Sequence, residues 1–405
     1  MFASRSATVI AGLLVVLIGS AHAEKLYGPG VSDTEIKIGN TMPYSGPASS
    51  LSTIGKALDA YFKMINAKGG VNGRRVQFVS RDDAFSPPKT VEQTRKLVED
   101  DGVSLIFGTI GTAPNTATQK YLNTNKVPQL FIGSSAEKWN DPAHFPWTMA
   151  LSWQPNYADE AKIHLRYFRG KYPSGRVAIL YQNDDAGKEF MKGVKEALGN
   201  DESKVVALAL PFDLQYPTID SEIARLATTK ADAFMIYSVT PRACAQAIRT
   251  AYTIGWRPDL RFLSGSCPNI EAVLKPAGLE KAEGLVTMLS VKLVTPATQS
   301  EPDVAEFIAF MRDYVPDVVQ SDSYAVYAYL LGNALREVLT RCGDDLTREN
   351  IMKQASSLKD IRLPLLLPGI SINTSSSDYR PIRDAYLARF DGTEWVIFGD
   401  ALRGD

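Results

Sequence analysis

The stretch IKIGNTMPYSGPASSLSTIGKALDAYFKMINAKGGVNGRRVQFV, residues 36–79, changes its hydrophobic period twice. Ile36 to Gly39 is a short β-branched run. Thr53 to Ala67 then places Ile54, Leu58, Tyr61, Phe62 and Ile65 on one helical face, and Val76-Gln77-Phe78-Val79 returns to the extended pattern. A strand, a helix and a second strand in this order predict a parallel sheet with helices on both faces.

The alternation continues downstream: helix Lys89 to Asp100, strand Ser104 to Phe107, helix Thr116 to Asn125 and strand Gln129 to Ile132. After Phe145 to Ala150 a second Rossmann-like series begins, with helix Tyr157 to Arg169, strand Arg176 to Tyr181, helix Gly187 to Leu198, strand Val205 to Leu210 and helix Thr218 to Leu226. Strand Phe234 to Tyr237, helix Ala243 to Thr253 and strands Arg261 to Leu263 and Leu285 to Leu289 extend it. Helices are expected at Asp303 to Tyr314 and Ser321 to Leu339. A terminal hairpin runs through Ala385 to Phe390, the turn Asp391-Gly392, and Trp395 to Phe398. With no repeat and no low-complexity linker, two lobes joined by several short crossings fit better than two domains on one tether.

Upstream, Arg5 precedes an apolar run from Val9 to Ile18 and the small-residue site Ala21-His22-Ala23. That pattern reads as a secretory signal peptide over residues 1–23, too short to span a membrane at ~20 residues. About 380 residues remain, and single cores rarely exceed ~250–300, which again predicts two lobes. The protein is thus expected outside the cytoplasm, in the periplasm.

Lys plus Arg number 44 against 45 Asp plus Glu, mixed along the chain, which argues against nucleic-acid and anionic-membrane partners. His144 and His164 have no acid at ligand spacing, so no metal is expected, and no cofactor motif occurs. Hydrolase, dehydrogenase and NTPase signatures are missing, so the chain is not read as an enzyme. Of the three cysteines, Cys244 and Cys267 lie in consecutive strand-to-helix turns; they read either as a disulfide pair or as two buried small hydrophobes.

Ligands of open α/β sheets sit beyond the carboxyl ends of the strands. In the first lobe those turns are rich in small and hydroxyl residues: Tyr44 to Ser50, then Thr109, Thr112 and Ala113, then Ser134, Ser135 and Ala136. Backbone N–H groups and hydroxyls at helix N-termini suit an anion such as a carboxylate. The second lobe offers Trp153 and Gln154 near the first crossing, then Asp184, Asp185 and Ala186, Tyr237 and Thr240, and Ser266. Trp153 and Tyr237 read equally as packing residues and as cleft lining.

Tyr44-Ser45-Gly46-Pro47, the run from Asn66 to Gly73, Asp82-Asp83 followed by Pro87, and Val127-Pro128 resemble the leucine/isoleucine/valine-binding family. The resemblance covers nearly the whole chain and implies a type I periplasmic binding protein. Such proteins have two Rossmann-like lobes joined by three crossings, close on a ligand like a flytrap, and serve ABC transporters. On that pattern lobe 1 takes residues 24–149 and 294–378, and lobe 2 takes 150–293 and 379–405. The partners implied are a small carboxylate and a membrane permease, and the chain is expected to be a monomer. A membrane receptor that reads the closed form is the alternative partner.

The resemblance places the ligand's carboxylate at Thr112, Ala113, Ser134 and Ala136. The chain departs from the family in three places. Ala186 stands where the family often has an aromatic, Ser266 stands near the position of the acid that pairs an α-ammonium, and Phe85 and Gly111 occupy the positions of the family's disulfide. A buried ammonium left without its partner costs about 3–5 kcal/mol, against about 8 kcal/mol for micromolar binding. The ligand is therefore expected to be an aromatic or branched acid lacking an amino group, unless Asp184 or Asp185 supplies the charge for a branched-chain or aromatic amino acid.

Overall fold

The computed structural model describes residues 25–404, so the leader expected over residues 1–23 lies outside the described residues. The opening stretch forms strand β1 (Glu35–Met42), helix α1 (Ser52–Ala67) and strand β2 (Arg75–Asp82). Ile36 and Ile38 point into the core, and all five apolar residues expected on the inner face of α1 are buried. Helices α2 (Pro87–Arg95) and α3 (Thr112–Thr124) alternate with β3 (Leu105–Phe107), β4 (Gln129–Ile132) and β5 (Thr148–Ala150). The sheet is wholly parallel in the order β2-β1-β3-β4-β5.

A second sheet contains β6 (Val177–Gln182), β7 (Val206–Phe212), β8 (Ala233–Tyr237), β9 (Leu260–Leu263) and β10 (Leu285–Leu289). The hairpin of β11 (Ala385–Phe390) and β12 (Trp395–Leu402) joins its edge through an antiparallel pairing of β11 with β10. The order is β12-β11-β10-β9-β8-β6-β7. Helices α4 (Tyr157–Lys171), α5 (Asp185–Leu198), α6 (Asp220–Ala227) and α7 (Pro241–Thr253) belong to this half. Helices α8 (Pro302–Tyr314) and α9 (Ser323–Cys342) return to pack on α1. The chain thus leaves the first sheet after Ala150, returns after Leu289 and crosses a third time before Ala385. The second and third passages lie side by side, with Ser290 Oγ donating to the Asp384 carbonyl at 2.6 Å.

Three helices begin earlier than the periodicity predicts, each on a proline: Pro87 rather than Lys89, Pro241 rather than Ala243, Pro302 rather than Asp303. Proline lacks the N–H that the first turn of a helix leaves unpaired anyway, so it opens these helices instead of excluding itself from them. The second helix also ends differently, widening into a π-turn over Lys96–Asp100. Helix α10 (Arg348–Ala355) was not anticipated; Thr347 caps it by accepting from Asn350 N.

The apolar core does not stop at the boundary between the sheets. One buried cluster joins Ile132, Ala136, Trp139 and Ala150 at the carboxyl edge of the first sheet to Tyr157, Phe190 and Tyr237 of the second half. The strand-to-helix turns of both halves meet at this junction.

Candidate functional site

On the lobe 1 side, Gly111 takes a φ of 99° and starts α3, and a Cβ there would come within 2.5 Å of the Phe85 ring. Only glycine satisfies both the left-handed backbone and the close approach. Helix α3 therefore opens at Thr112, four residues before the expected start, and Thr112 and Ala113 form its first turn. Thr112 Oγ1 lies 2.8 Å from Ser134 Oγ, which follows β4. Ser134 Oγ also accepts from the Trp139 indole N–H at 2.8 Å, and the Tyr157 hydroxyl, brought by the first turn of α4, stands 3.5 Å away. Burial pushes the Tyr157 phenol up to about 12, so it remains a neutral donor. Three hydroxyls from two lobes thus converge at a helix N-terminus, where unpaired backbone N–H groups and the helix dipole favour negative charge.

On the lobe 2 side the polar groups are arranged around the turn Ser264 to Ser266. Glu160 of α4 is fully buried; its Oε1 accepts from Gly265 N at 2.9 Å, and Gln154 Nε2 lies 3.3 Å from both Glu160 Oε2 and Ser266 Oγ. Burial raises the Glu160 carboxyl to about 8. Trp153 donates its indole N–H to the Gly265 carbonyl at 2.7 Å, and its ring packs edge-on against Tyr327 of α9 with centroids 4.2 Å apart. Tyr237 stacks on Phe190 at 4.3 Å and meets Tyr157 edge-on, and among the described residues its buried hydroxyl has no hydrogen-bond partner. The Thr240 and Ser238 hydroxyls are 3.0 Å apart, and Ser238 Oγ donates to Gln182.

The two readings of Cys244 and Cys267 resolve in favour of a disulfide, which ties the start of α7 to the turn after β9; Cys342 is free and buried. The first lobe has no such bond at its corresponding edge, where the Phe85 ring lies against Gly111.

Other candidates are placed differently from expectation. Asp184 is not free to pair an ammonium: one oxygen accepts from Ala186 N and Gly187 N, capping α5, and the other accepts from Gln182. This cap starts α5 at Asp185 and buries Ala186 in its first turn. Asp185 is half exposed, 3.8 Å from Lys138 across the interlobe boundary. Thr109 spends its hydroxyl on Asn115 inside lobe 1, and Tyr44 spends its own on Ser80 at 2.7 Å. Ser50 is exposed at an outer recess between Gly46–Pro47 and Arg242, Gln246 and Arg249 of α7. Ser135 bonds Ser152 of the first crossing at 2.6 Å. Among the described residues no group of three His, Cys, Asp or Glu could hold a metal ion.

Tyr157, Glu160 and Trp139 were not anticipated. The signal was present for two of them, since Tyr157, Glu160, Ala161 and His164 share one face of α4. An acid and a histidine inside an otherwise apolar stripe mark a buried polar function rather than plain core.

The sequence model of the periplasmic binding protein family matches residues 35–394. Over 358 residues the chain is 31% identical to Leu/Ile/Val-binding protein homolog 7 of Brucella suis biovar 1 (strain 1330), covering 85% of this chain and 86% of that protein. The chain is a periplasmic binding protein of the Leu/Ile/Val-binding family. Solved structures agree on the fold. A branched chain amino acid ABC transporter from Thermus thermophilus with bound valine superposes with a TM-score of 0.81 at 14% identity, over 92% of this chain and 97% of that one. A fatty acid ABC transporter substrate-binding protein from Thermomonospora curvata gives 0.78 at 20%, over 94% and 95%. As a periplasmic binding protein the chain is a solute-binding protein rather than an enzyme, and its family places it in the periplasm. Its α/β architecture is that of two lobes joined by three crossings.

Proposed function

We propose that this periplasmic binding protein captures a small carboxylate between its lobes and delivers it, as a monomer, to the permease of an ABC importer. The observation that carries this reading is the meeting of Thr112, Ser134 and Tyr157 hydroxyls at the N-terminus of α3. A carboxylate there takes hydrogen bonds from lobe 1 through Thr112, Ser134 and the α3 backbone, and from lobe 2 through Tyr157. Because its donors come from both lobes, the ligand binds the closed form better than the open one and shifts that equilibrium by the difference. Exclusion of water on closure strengthens each bond.

The ligand's other end meets Ser266, Thr240, Gln154 and the Tyr237 hydroxyl, none of them anionic. Asp184 is committed to its cap, Asp185 pairs with Lys138, and Glu160 is held toward its neutral form. Asp159, which lines the same recess as Ser134 and Gln154, pairs with Lys162 at 3.4 Å. An α-ammonium would have to compete for an acid already engaged or stay unpaired at a cost of about 3–5 kcal/mol, which supports an acid without an amino group. The family's names point to branched-chain amino acids, while the Thermomonospora relative is described as serving fatty acids, so the fold itself does not require an amino group.

The test is a thermal-shift screen of refolded, ligand-stripped protein. The set is branched-chain and aromatic amino acids, benzoates, hydroxycinnamates and short aliphatic acids. A ligand at 100 times its dissociation constant stabilises by about 2.7 kcal/mol. Acids lacking an amino group should give the largest shifts. Leucine or another amino acid giving the largest shift overturns the ligand class, and no shift with any carboxylate overturns the site.

A further inference from the structure

The turn that presents Ser134 continues to the other lobe. Three residues on, Glu137 and Lys138 meet α5 across the seam between the halves, each against a charge of opposite sign. Glu137 lies 2.8 Å from Lys192, and Lys138 lies 3.8 Å from Asp185. Between these pairs the Glu137 backbone N–H donates to Glu189 Oε1 at 2.8 Å, the one hydrogen bond of that carboxylate among the described residues. Asp185, Glu189 and Lys192 share one face of α5 by their spacing. Lys138 is anchored from its own lobe, donating to Thr116 Oγ1 at 3.0 Å and lying over the Trp139 ring. Two adjacent residues of one turn and one face of one helix thus bridge the lobes.

A pull at this seam reaches Tyr157. Lys192 is 3.6 Å from Glu196, Glu196 is 3.0 Å from Lys162, and Lys162 is 3.4 Å from Asp159, so charges of alternating sign run from α5 to the first turn of α4. The backbones beneath them touch as well: a Cβ on Gly193 would run into the main chain of Ala158. Helix α5 and the first turn of α4 are therefore held as one body. Ala158 follows Tyr157 directly, and the Tyr157 hydroxyl stands 3.5 Å from Ser134 Oγ. The path closes on itself, from Ser134 along its turn to Glu137, across to α5, back through α4 and over Tyr157 to Ser134. A single exposed ion pair contributes little, whereas several charges in one network act together.

We propose that Glu137 and Lys138 of lobe 1, with Asp185, Glu189 and Lys192 of lobe 2, form a clasp that favours the closed form and are positioning residues for ligand capture, because the clasp holds the Tyr157 hydroxyl at Ser134. The inference rests on the reading of the junction as the ligand site. None of the five has to touch the ligand. Their pairs exist only while the lobes are together, so a ligand that bridges the lobes gains whatever the clasp contributes to the closed form. The ion-paired side chains are half exposed, which keeps the pull weak and sensitive to salt and lets the lobes part again.

Charge reversal and charge swap decide. Lys138→Glu sets a carboxylate against Asp185, and adding Asp185→Lys restores an opposite pair in the reverse sense. Calorimetric titration with benzoate and with leucine is run in about 10 mM salt, where the screening length is about 30 Å. Whichever of the two binds should lose about fivefold in affinity in Lys138→Glu and regain most of it in the swap. In about 1 M salt, with a screening length of about 3 Å, wild type and Lys138→Glu should agree within about twofold. X-ray scattering of the ligand-free protein follows the same variants. Lys138→Glu should have the larger radius of gyration in low salt, and both the swap and high salt should reduce it. Either effect, once restored by the swap, supports the clasp. A loss that persists in the swap or in about 1 M salt is a defect of the turn rather than of its charge and overturns the proposal, as do equal affinity and equal scattering of wild type and Lys138→Glu. Failure of both probes to bind counts against the carboxylate reading, and scattering alone then judges the clasp.

Discussion

The two halves of the cleft are built by opposite means. Lobe 1 makes its half from neighbours in the chain: a strand ends, glycine turns, a helix starts, and Thr112 and Ser134, 22 residues apart, bring their hydroxyls together. Lobe 2 makes its half from distant partners. Glu160 and Gly265 are 105 residues apart, and Trp153 and Gln154 each reach 112 residues to their partners in the same turn. It then adds a covalent tie between Cys244 and Cys267. The difference teaches that one half is a fixed cradle of local geometry, whereas the other is an assembled wall that depends on cross-links.

The largest effect should come from cutting the covalent cross-link. Replacing Cys244 and Cys267 together by serine removes a constraint on a 23-residue separation, worth about 3 kcal/mol, and thermal unfolding should move down accordingly. If stability is unchanged, lobe 2 does not depend on its tie and the contrast fails.

Next in size is the loss of a hydroxyl from the cradle. Thr112→Val keeps the shape but removes a bond to a charged ligand, about 2 kcal/mol, so calorimetry should show affinity falling about thirtyfold. Ser266→Ala on the opposite wall should cost less than about 1 kcal/mol, the range of a neutral hydrogen bond. A Ser266→Ala loss exceeding that of Thr112→Val would reverse the assignment of the charged end of the ligand to lobe 1.

The smallest effect at neutral pH, growing with acidity, belongs to His164 in the wall. Folding holds it neutral with an acidity near 3, against about 6.5 in the unfolded chain. Its contribution is therefore intact above about 6.5 and is lost as pH falls toward 3. Glu160 and Glu189 act with the opposite sign. Their folded values near 8 make them favourable below the unfolded value of about 4.5 and progressively costly as pH rises toward 8. Denaturation of His164→Phe between about pH 4 and pH 7 should show a flatter acid limb than the wild type; an equal slope would place the acid sensitivity elsewhere.

This contrast also explains what could be read in advance. The βαβ alternation, both lobes and the hydroxyl-rich turns of lobe 1 follow from residues adjacent in sequence. The helix starts at Pro87, Pro241 and Pro302 lie one or two residues ahead of the expected ones, because a proline in the first turn adds nothing to the apolar period by which the helices were placed. Tyr157 was read only as the start of a helix, although its hydroxyl stands beside Ser134. Glu160 was passed over because a lone glutamate in an amphipathic segment normally faces water. Only the approach of a turn more than a hundred residues away makes that position a buried one. The commitment of Asp184 is local, to Ala186 N, Gly187 N and Gln182; it went unread because the helix start was placed at Gly187 rather than at Asp185, directly after its cap.

The cysteines carry a last consequence, for how the chain finds its pairing. Three cysteines allow three single bonds, and in an unfolded chain the chance of two meeting falls with the length between them. Cys244 and Cys267 are separated by 23 residues, whereas Cys342 stands a further 75 along, by subtraction of 267 from 342. Loop closure alone favours the native pair over its nearer competitor by about 1 kcal/mol. The helix that then forms over Cys342 seals the odd thiol away, so oxidation and burial each steer the third cysteine out of the exchange.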